Sequence, residues 1–278
     1  MKKKSLGIIL LLIFLTGIGI LFYPTISNYH NSKVQSKAIT NYDKVVENID
    51  YTPYLEEANN YNKKLFELDY PLAQYKEIPG YSKLLNINNN GMMGYISIDK
   101  IKVELPIYHG TTNAVLNVAV GHFRGSSLPV GGENTHSVLS AHRGLPSAKL
   151  FTNLNKLEIG DIFEIKVLGK TLTYQVDNIV TTEPNDTTNL NIEKGYDYVT
   201  LVTCTPYGIN SHRLLVRGTR IETISKKELI VTSDAYKINN LIVTLVISLP
   251  ILGILLIYIM VKPQKKKTLE EDKVWKKY

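Results

Sequence analysis

Thr200-Leu-Val-Thr-Cys204-Thr-Pro-Tyr-Gly208-Ile-Asn210-Ser-His-Arg213-Leu-Leu-Val216 is the stretch on which the reading of this chain turns. Tyr198, Val199, Leu201 and Val202 form an apolar, partly β-branched run with the composition of a strand. Pro206, Gly208 and Asn210 make a turn, and Leu214-Leu-Val216 resumes as a second strand. With the hairpin centred between Gly208 and Ile209, Cys204 lies across the ladder from Arg213 on the same face of the sheet. A thiol and a guanidinium then share one site. Cys204 is also the only cysteine in 278 residues.

Two uncharged apolar runs flank the middle of the chain, Leu6–Tyr23 and Leu241–Val261, and each is long enough to cross a bilayer. Phe22-Tyr23-Pro24 follows the first run where a cleavable leader would carry small residues, so an uncleaved signal anchor is expected. The net charge of +7 sits in the flanks. Lys2-Lys3-Lys4 precedes the first run, and residues 262–278 hold seven lysines against Glu270, Glu271 and Asp272. Residues 6–261 are therefore neutral overall, which argues against a nucleic-acid surface. Lysine on the outer end of each run places both termini in the cytoplasm and the middle outside the membrane. Outside, a lone cysteine has no internal disulfide partner and reads as a reactive thiol.

These patterns divide the chain into a cytoplasmic tail (1–5), a signal anchor (6–23), a helical region with a possible lid (24–90) and a β domain (91–225). A linker (226–240), a second membrane helix (241–261) and a basic cytoplasmic tail (262–278) follow. Val34, Ala38, Tyr42, Val45 and Ile49 recur at helical spacing, and a second helix is expected over Tyr54–Phe66. From Gly94 onward short strands alternate with turns: Gly94–Ile98, Val103–Tyr108, Ser137–Ser140, Ile162–Val167, Thr171–Ile179, Tyr198–Thr203 and Leu214–Ile221. Their spacing reads as an antiparallel barrel or sandwich. Val115–Val118 and Ala148–Leu154 are candidate short helices.

A cysteine nucleophile needs a proton partner and a stabiliser for the oxyanion. Of six histidines, His30 lies beside the membrane, His109 reads as a turn residue, His136 as a solvent-facing residue before a strand, and His212 points away from Arg213. His122 and His142 remain, and His142 is favoured because it follows an apolar strand just before Gly144.

Thr-Leu-Val-Thr-Cys204 followed by Arg213 resembles the sortase signature. Ser127-Leu-Pro-Val-Gly-Gly, His136-Ser-Val-Leu-Ser-Ala-His142-Arg-Gly-Leu-Pro-Ser-Ala-Lys-Leu-Phe151 and Cys204-Thr-Pro-Tyr-Gly-Ile-Asn are similar to class C sortases, the pilin polymerases. The resemblance is dense over Gly94–Ile221. It implies a mainly β fold, a sortase-type closed antiparallel β-barrel with N-terminal helices and two flanking membrane helices. It also implies a catalytic set of Cys204, His142 and Arg213, with no metal or cofactor.

By that resemblance, Cys204 attacks the Thr–Gly carbonyl of an LPxTG-type sorting signal to form a thioacyl enzyme. His142 moves the proton, Arg213 holds the developing negative charge, and a pilin lysine accepts the acyl group. Thr203, Ser140 and Asn210 are the candidate substrate-binding residues, and Ile179–Tyr196 is the expected groove wall. A cell-wall amine as acceptor, with single proteins anchored to peptidoglycan, is the enzymatic alternative; a non-enzymatic assembly scaffold is the other. Class C sortases usually carry a lid with an Asp-Pro-aromatic anchor, and no Asp-Pro dipeptide occurs here. Asp69-Tyr70-Pro71 offers the same residue types, with Asp69 expected to pair with Arg213 and Tyr70 to cover Cys204.

Overall fold

The computed structural model describes residues 2–223 together with 248, 252 and 253. The chain divides into two compact units, residues 17–224 and residues 1–16 with 225–278. The second apolar run, the linker and the basic tail fall outside the described residues, apart from those three positions within the run.

One helix, α1 (Lys2–Val46), runs through both the first apolar run and the amphipathic stretch that follows it. Pro24 lies inside it without ending it. Among the described residues it is the one helix long and apolar enough to cross a membrane. Its first half leaves Ile13, Ile20, Leu21 and Ile26 exposed, while Gln35, Ile39, Tyr42 and Val46 in its second half are buried. Tyr42 bridges a strand and a turn by donating to the Met93 carbonyl (2.9 Å) and accepting from the Leu168 N–H (3.0 Å). α2 (Thr52–Phe66), with Pro53 in its first turn, buries Ala58, Tyr61, Asn62 and Leu65 on one face. A short α3 (Pro71–Gln74) follows.

Eight strands close into a barrel: β1 (Met92–Ile98), β2 (Val103–His109), β3 (Val120–His122), β4 (Thr135–Ser140), β5 (Ile162–Val167), β6 (Lys170–Thr182), β7 (Asp197–Thr205) and β8 (His212–Ile221). Around the barrel they run β1-β2-β3-β4-β7-β8-β6-β5. Seven strands lie where the sequence pattern put them, with ends shifted by up to three residues. β3, three residues long, is not among the strands expected from the sequence. The barrel is not wholly antiparallel: β2 with β3 and β4 with β7 pair in parallel. Between them only the four-residue helix α4 (Asn113–Leu116) connects β2 to β3, whereas β5 and β6 intervene between β4 and β7. Ala148–Leu154 is not a helix; it forms turns leading to a single 3₁₀ turn at Leu154–Lys156.

The barrel interior is filled by side chains from alternate strand positions, among them Ile96, Ile107, Leu139, Phe163, Ile165, Val199, Leu201 and Val216. A smaller apolar cluster lies on the opposite face of β4, β7 and β8. It joins Val138, Leu190 and Leu215 with Leu72, Phe123, Val180 and Val202.

Tyr42→Phe removes one hydroxyl that satisfies two buried backbone groups. Denaturant titration is expected to show a loss of about 2 kcal/mol.

Candidate active site

β7 carries Cys204 near its C-terminal end, and its neighbours on both sides fix what stands beside the thiol. On one side the antiparallel ladder with β8 pairs Cys204 with Arg213 and Thr205 with His212. That is the register expected from the turn. On the other side β4 runs parallel to β7, with Val138 opposite Thr200 and Ser140 opposite Val202. The chain keeps this register past the strand end: Ala141 N–H donates to the Val202 carbonyl (3.1 Å), and the Thr203 hydroxyl donates to the Ala141 carbonyl (2.8 Å). His142, the next residue, is thereby carried to the level of Cys204. Its own carbonyl accepts from Phe151 N–H (3.1 Å), which holds the loop down. His142, Cys204 and Arg213 thus stand on three neighbouring segments at one end of the barrel, all partly exposed.

A cavity of about 200 Å³ opens on the outer face of these strands. Its floor includes Val138, Ser140, Val202, Leu215 and Arg213, and its wall includes Thr182, Pro184, Thr187 and Leu190. Part of Ile179–Tyr196, expected as a groove wall, does line it. The Arg213 Nη1 donates to the carbonyls of Asn210 (3.2 Å) and His212 (3.0 Å), so the guanidinium is held by its own turn.

The other sequence candidates separate clearly. Ser140 lines the cavity. Thr203 is buried with its hydroxyl committed to Ala141, which makes it a brace between strands. Asn210 adopts the left-handed conformation at φ 62° and closes the turn by donating N–H to Pro206 (2.9 Å). Arg217, on the Cys204 face farther along β8, is engaged by Asp177 (3.1 Å) and Glu193 (3.2 Å) and lies over the Tyr198 ring.

Asp69 and Tyr70 do not form the expected cover. Tyr70 is 72% exposed, and no Asp69–Arg213 ion pair occurs among the described residues. Near them, Leu72 packs in the outer apolar cluster and Tyr75 lies with Leu72 against Gly125, while Leu68 and Ile78 pack against the main core. A Cβ on Gly125 would come within 2.9 Å of the Tyr75 ring, so glycine is what lets the segment lie this close. Leu72 gains from burying its apolar side chain against this floor. The sequence signal for the groove floor was available, since alternation from Cys204 and Arg213 selects Val202, Leu215 and their neighbours.

Two histidines read from sequence are structural. His122 is fully buried, accepting from the Tyr81 hydroxyl (2.8 Å) and donating to the Ser127 carbonyl (2.8 Å). His136, expected to face solvent, is 1% exposed; it donates to the Asn191 carbonyl and accepts from the Thr200 hydroxyl, each at 2.7 Å. The loop ending at Asn191 covers the outer face of β4 there, which removes the solvent. His109 ends β2 with its two ring nitrogens 2.8 Å from the Gly91 and Leu84 carbonyls.

The sortase domain family matches residues 96–221 of this chain. Sortase D of Bacillus subtilis is 30% identical over 131 residues, 46% of this chain and 63% of that protein, so the chain spans less than two thirds of it. Among solved structures, sortase C1 from Streptococcus agalactiae is 46% identical, covering 68% of this chain and 100% of that chain with a TM-score of 0.61. Sortase C1 of GBS Pilus Island 1 is 43% identical, covering 67% and 98%, with a TM-score of 0.62.

Burial holds both His122 and His136 down at about 4, against an ordinary value of 6.5. The unfolded chain therefore takes up these protons first. Their contribution to stability is full above about pH 6.5 and is lost as pH falls towards 4, at up to about 1.4 kcal/mol per pH unit for each histidine. Urea titrations between pH 7 and pH 4.5 are expected to show this slope, and His136→Gln to reduce it. Tyr70→Ala is expected to leave the alkylation rate of Cys204 unchanged, whereas Leu72→Ala, which loosens the segment from the groove, is expected to raise it.

Proposed function

This chain belongs to the sortase family, and on that premise we propose that it is a membrane-anchored cysteine transpeptidase of the pilin-polymerising class. The observation that supports this reading is the shared level of His142, Cys204 and Arg213 at the end of β4, β7 and β8, beside a groove with an apolar floor. A thiol and an imidazole supply nucleophile and proton carrier, and a cation on the neighbouring strand supplies charge stabilisation.

In the first half-reaction, the Cys204 sulfur, its proton carried by His142, attacks the Thr carbonyl carbon of an LPxTG-type signal. The carbonyl π electrons move to oxygen, where the Arg213 guanidinium stabilises the oxyanion. Collapse of the tetrahedral intermediate breaks the Thr–Gly bond. His142 protonates the departing glycine amine and leaves a thioester on Cys204. In the second half-reaction a pilin lysine amine attacks the thioester carbonyl, His142 takes the amine proton, and collapse of the intermediate breaks the C–S bond, forming the isopeptide bond and restoring the starting pair of Cys204 and His142 with that proton. The thioester conserves the acyl group's reactivity, so the exchange runs without a nucleotide.

The groove receives an extended peptide. Leu190, Val138 and Leu215 offer apolar contact for the leucine and proline of such a signal, and Ser140 and the Thr182–Leu190 wall offer polar and shape recognition. Similarity to sortase C1 structures, one of them described as belonging to a pilus island, supports the pilin-polymerising class. Both apolar runs span the membrane in this reading, with both termini cytoplasmic and the barrel outside.

Incubation of the chain with an LPxTG-type peptide and a lysine-bearing pilin fragment is expected to give a thioacyl adduct on Cys204 and then a cross-linked product. Cys204→Ala and His142→Ala each lower turnover by about a thousandfold or more, and Arg213→Ala by about a hundredfold. In cells, wild type produces a high-mass ladder that Cys204→Ala lacks. Attachment of single proteins to peptidoglycan with no ladder would assign the cell-wall amine as acceptor, and absence of both cleavage and adduct would leave only a scaffold role.

A further inference from the structure

Arg143 follows His142 directly and has no carboxylate partner among the described residues. Its Nη1 donates to the Thr205 hydroxyl (3.2 Å), the residue directly after Cys204. Its Nε is buried with no hydrogen-bond partner among the described residues. A second contact lies beside the first. Gly144, at φ +78°, lies so close under the Tyr207 ring that an added Cβ would come within 2.9 Å of it, and the same ring is 5.9 Å from the Arg143 guanidinium. Residues 143–144 on the histidine loop therefore touch residues 205 and 207 on the cysteine hairpin.

The backbone ladder between β4 and β7 stops short of His142. Beyond Ala141, the side-chain bonds named here are what tie the loop to the hairpin. Thr205 belongs to the inward-facing set of β7 with Thr203, opposite to Cys204. Arg143 thus reaches the hairpin on the side away from the thiol and does not obstruct it. A partly buried guanidinium with no counter-ion is costly to hold, and a contact that only filled space would be met by an aliphatic side chain.

We propose that Arg143 and Thr205, with Tyr207 packed over Gly144, form a clamp that fixes the His142 loop against the Cys204 hairpin, making Arg143 and Thr205 positioning residues for the transfer reaction. The proposal rests on Cys204 and His142 being the nucleophile and proton carrier. Loosening the clamp leaves the thiol intact and accessible but lets the imidazole drift from the leaving amine. Misplacement on the order of 1 Å costs up to about a hundredfold in rate.

The test uses the full chain in detergent or membranes, with the sorting peptide and amine acceptor. Thr205→Val keeps the shape of threonine and removes the hydroxyl; Arg143→Gln removes the cation, and Arg143→Lys keeps it. Thr205→Val and Arg143→Gln are each expected to lower kcat about tenfold or more, with KM, thermal midpoint and the rate of Cys204 alkylation by a small reagent little changed. The double variant is expected to be no worse than the poorer single one, and Arg143→Lys to recover part of the loss. Wild-type kcat in both single variants, or additive losses in the double, would overturn the clamp. A parallel fall in alkylation rate or thermal midpoint would also overturn it, since the contact would then serve the fold. Retained turnover in Cys204→Ala and His142→Ala would instead overturn the site on which it rests, so the two failures are distinct.

Discussion

β7 is paired on both sides, in parallel with β4 from Asp197 to Val202 and antiparallel with β8 from Tyr198 to Thr205, and these two ladders determine what can happen at the end of the barrel. Side chains on a strand alternate between faces, so a register fixes both the neighbours of a residue and the face they share. A slip of one position would turn Cys204 towards the interior and expose the row that contains Leu201. Leu201 is fully buried and Val199 nearly so, and their burial holds the register from within. The outer apolar cluster of Val138, Leu190 and Leu215 holds it from without. The reactive end is therefore placed by two cores rather than by contacts among the reactive groups themselves.

That dependence explains which parts were legible in the sequence. The Cys204–Arg213 pairing could be read because both partners lie on one hairpin, where turn and alternation suffice. The parallel pairing of β4 with β7 joins segments some sixty residues apart, as the Ser140–Val202 pairing shows, and no local pattern announces it. For that reason His142 was reached through loop position and family likeness, while its level with Cys204 became visible only in the folded chain. β3 escaped because Val120-Gly-His122 is too short to show a period. His136 was misread because a strand entry looks exposed until a distant loop, ending at Asn191, is laid over it.

The helical region was legible in composition but not in continuity. The change from an apolar to an amphipathic pattern suggested two elements, and the structure has one. A proline removes one helical hydrogen bond and favours a kink, but the flanking turns on both sides are strong enough to carry the helix through. The lid residues failed for a different reason. Matching residue types in another order, Asp69-Tyr70-Pro71, conveyed no geometry, and the contacts with the barrel fall instead to Leu72 and Tyr75, both half-buried.

The arginines near the groove fall into two electrostatic classes, and the contrast bears on the chemistry. Arg217 is neutralised by Asp177 and Glu193 and stacked over Tyr198, so its field is spent within the fold as it bridges β8, β6 and the segment before β7. Arg213 and Arg143 make no ion pair among the described residues; both donate to neutral oxygens, carbonyls in one case and a hydroxyl in the other. A neutral acceptor orients a guanidinium without cancelling its charge. Of these two cations, Arg213 shares the face of Cys204, whereas Arg143 reaches the opposite face through Thr205. Acyl transfer passes through an oxyanion, and oriented positive charge in a partly dry site stabilises that state more than the neutral carbonyl that precedes it. Arg217, held by carboxylates on β6 and before β7, serves the fold, whereas Arg213 makes no ion pair among the described residues although Asp186 lines the same cavity.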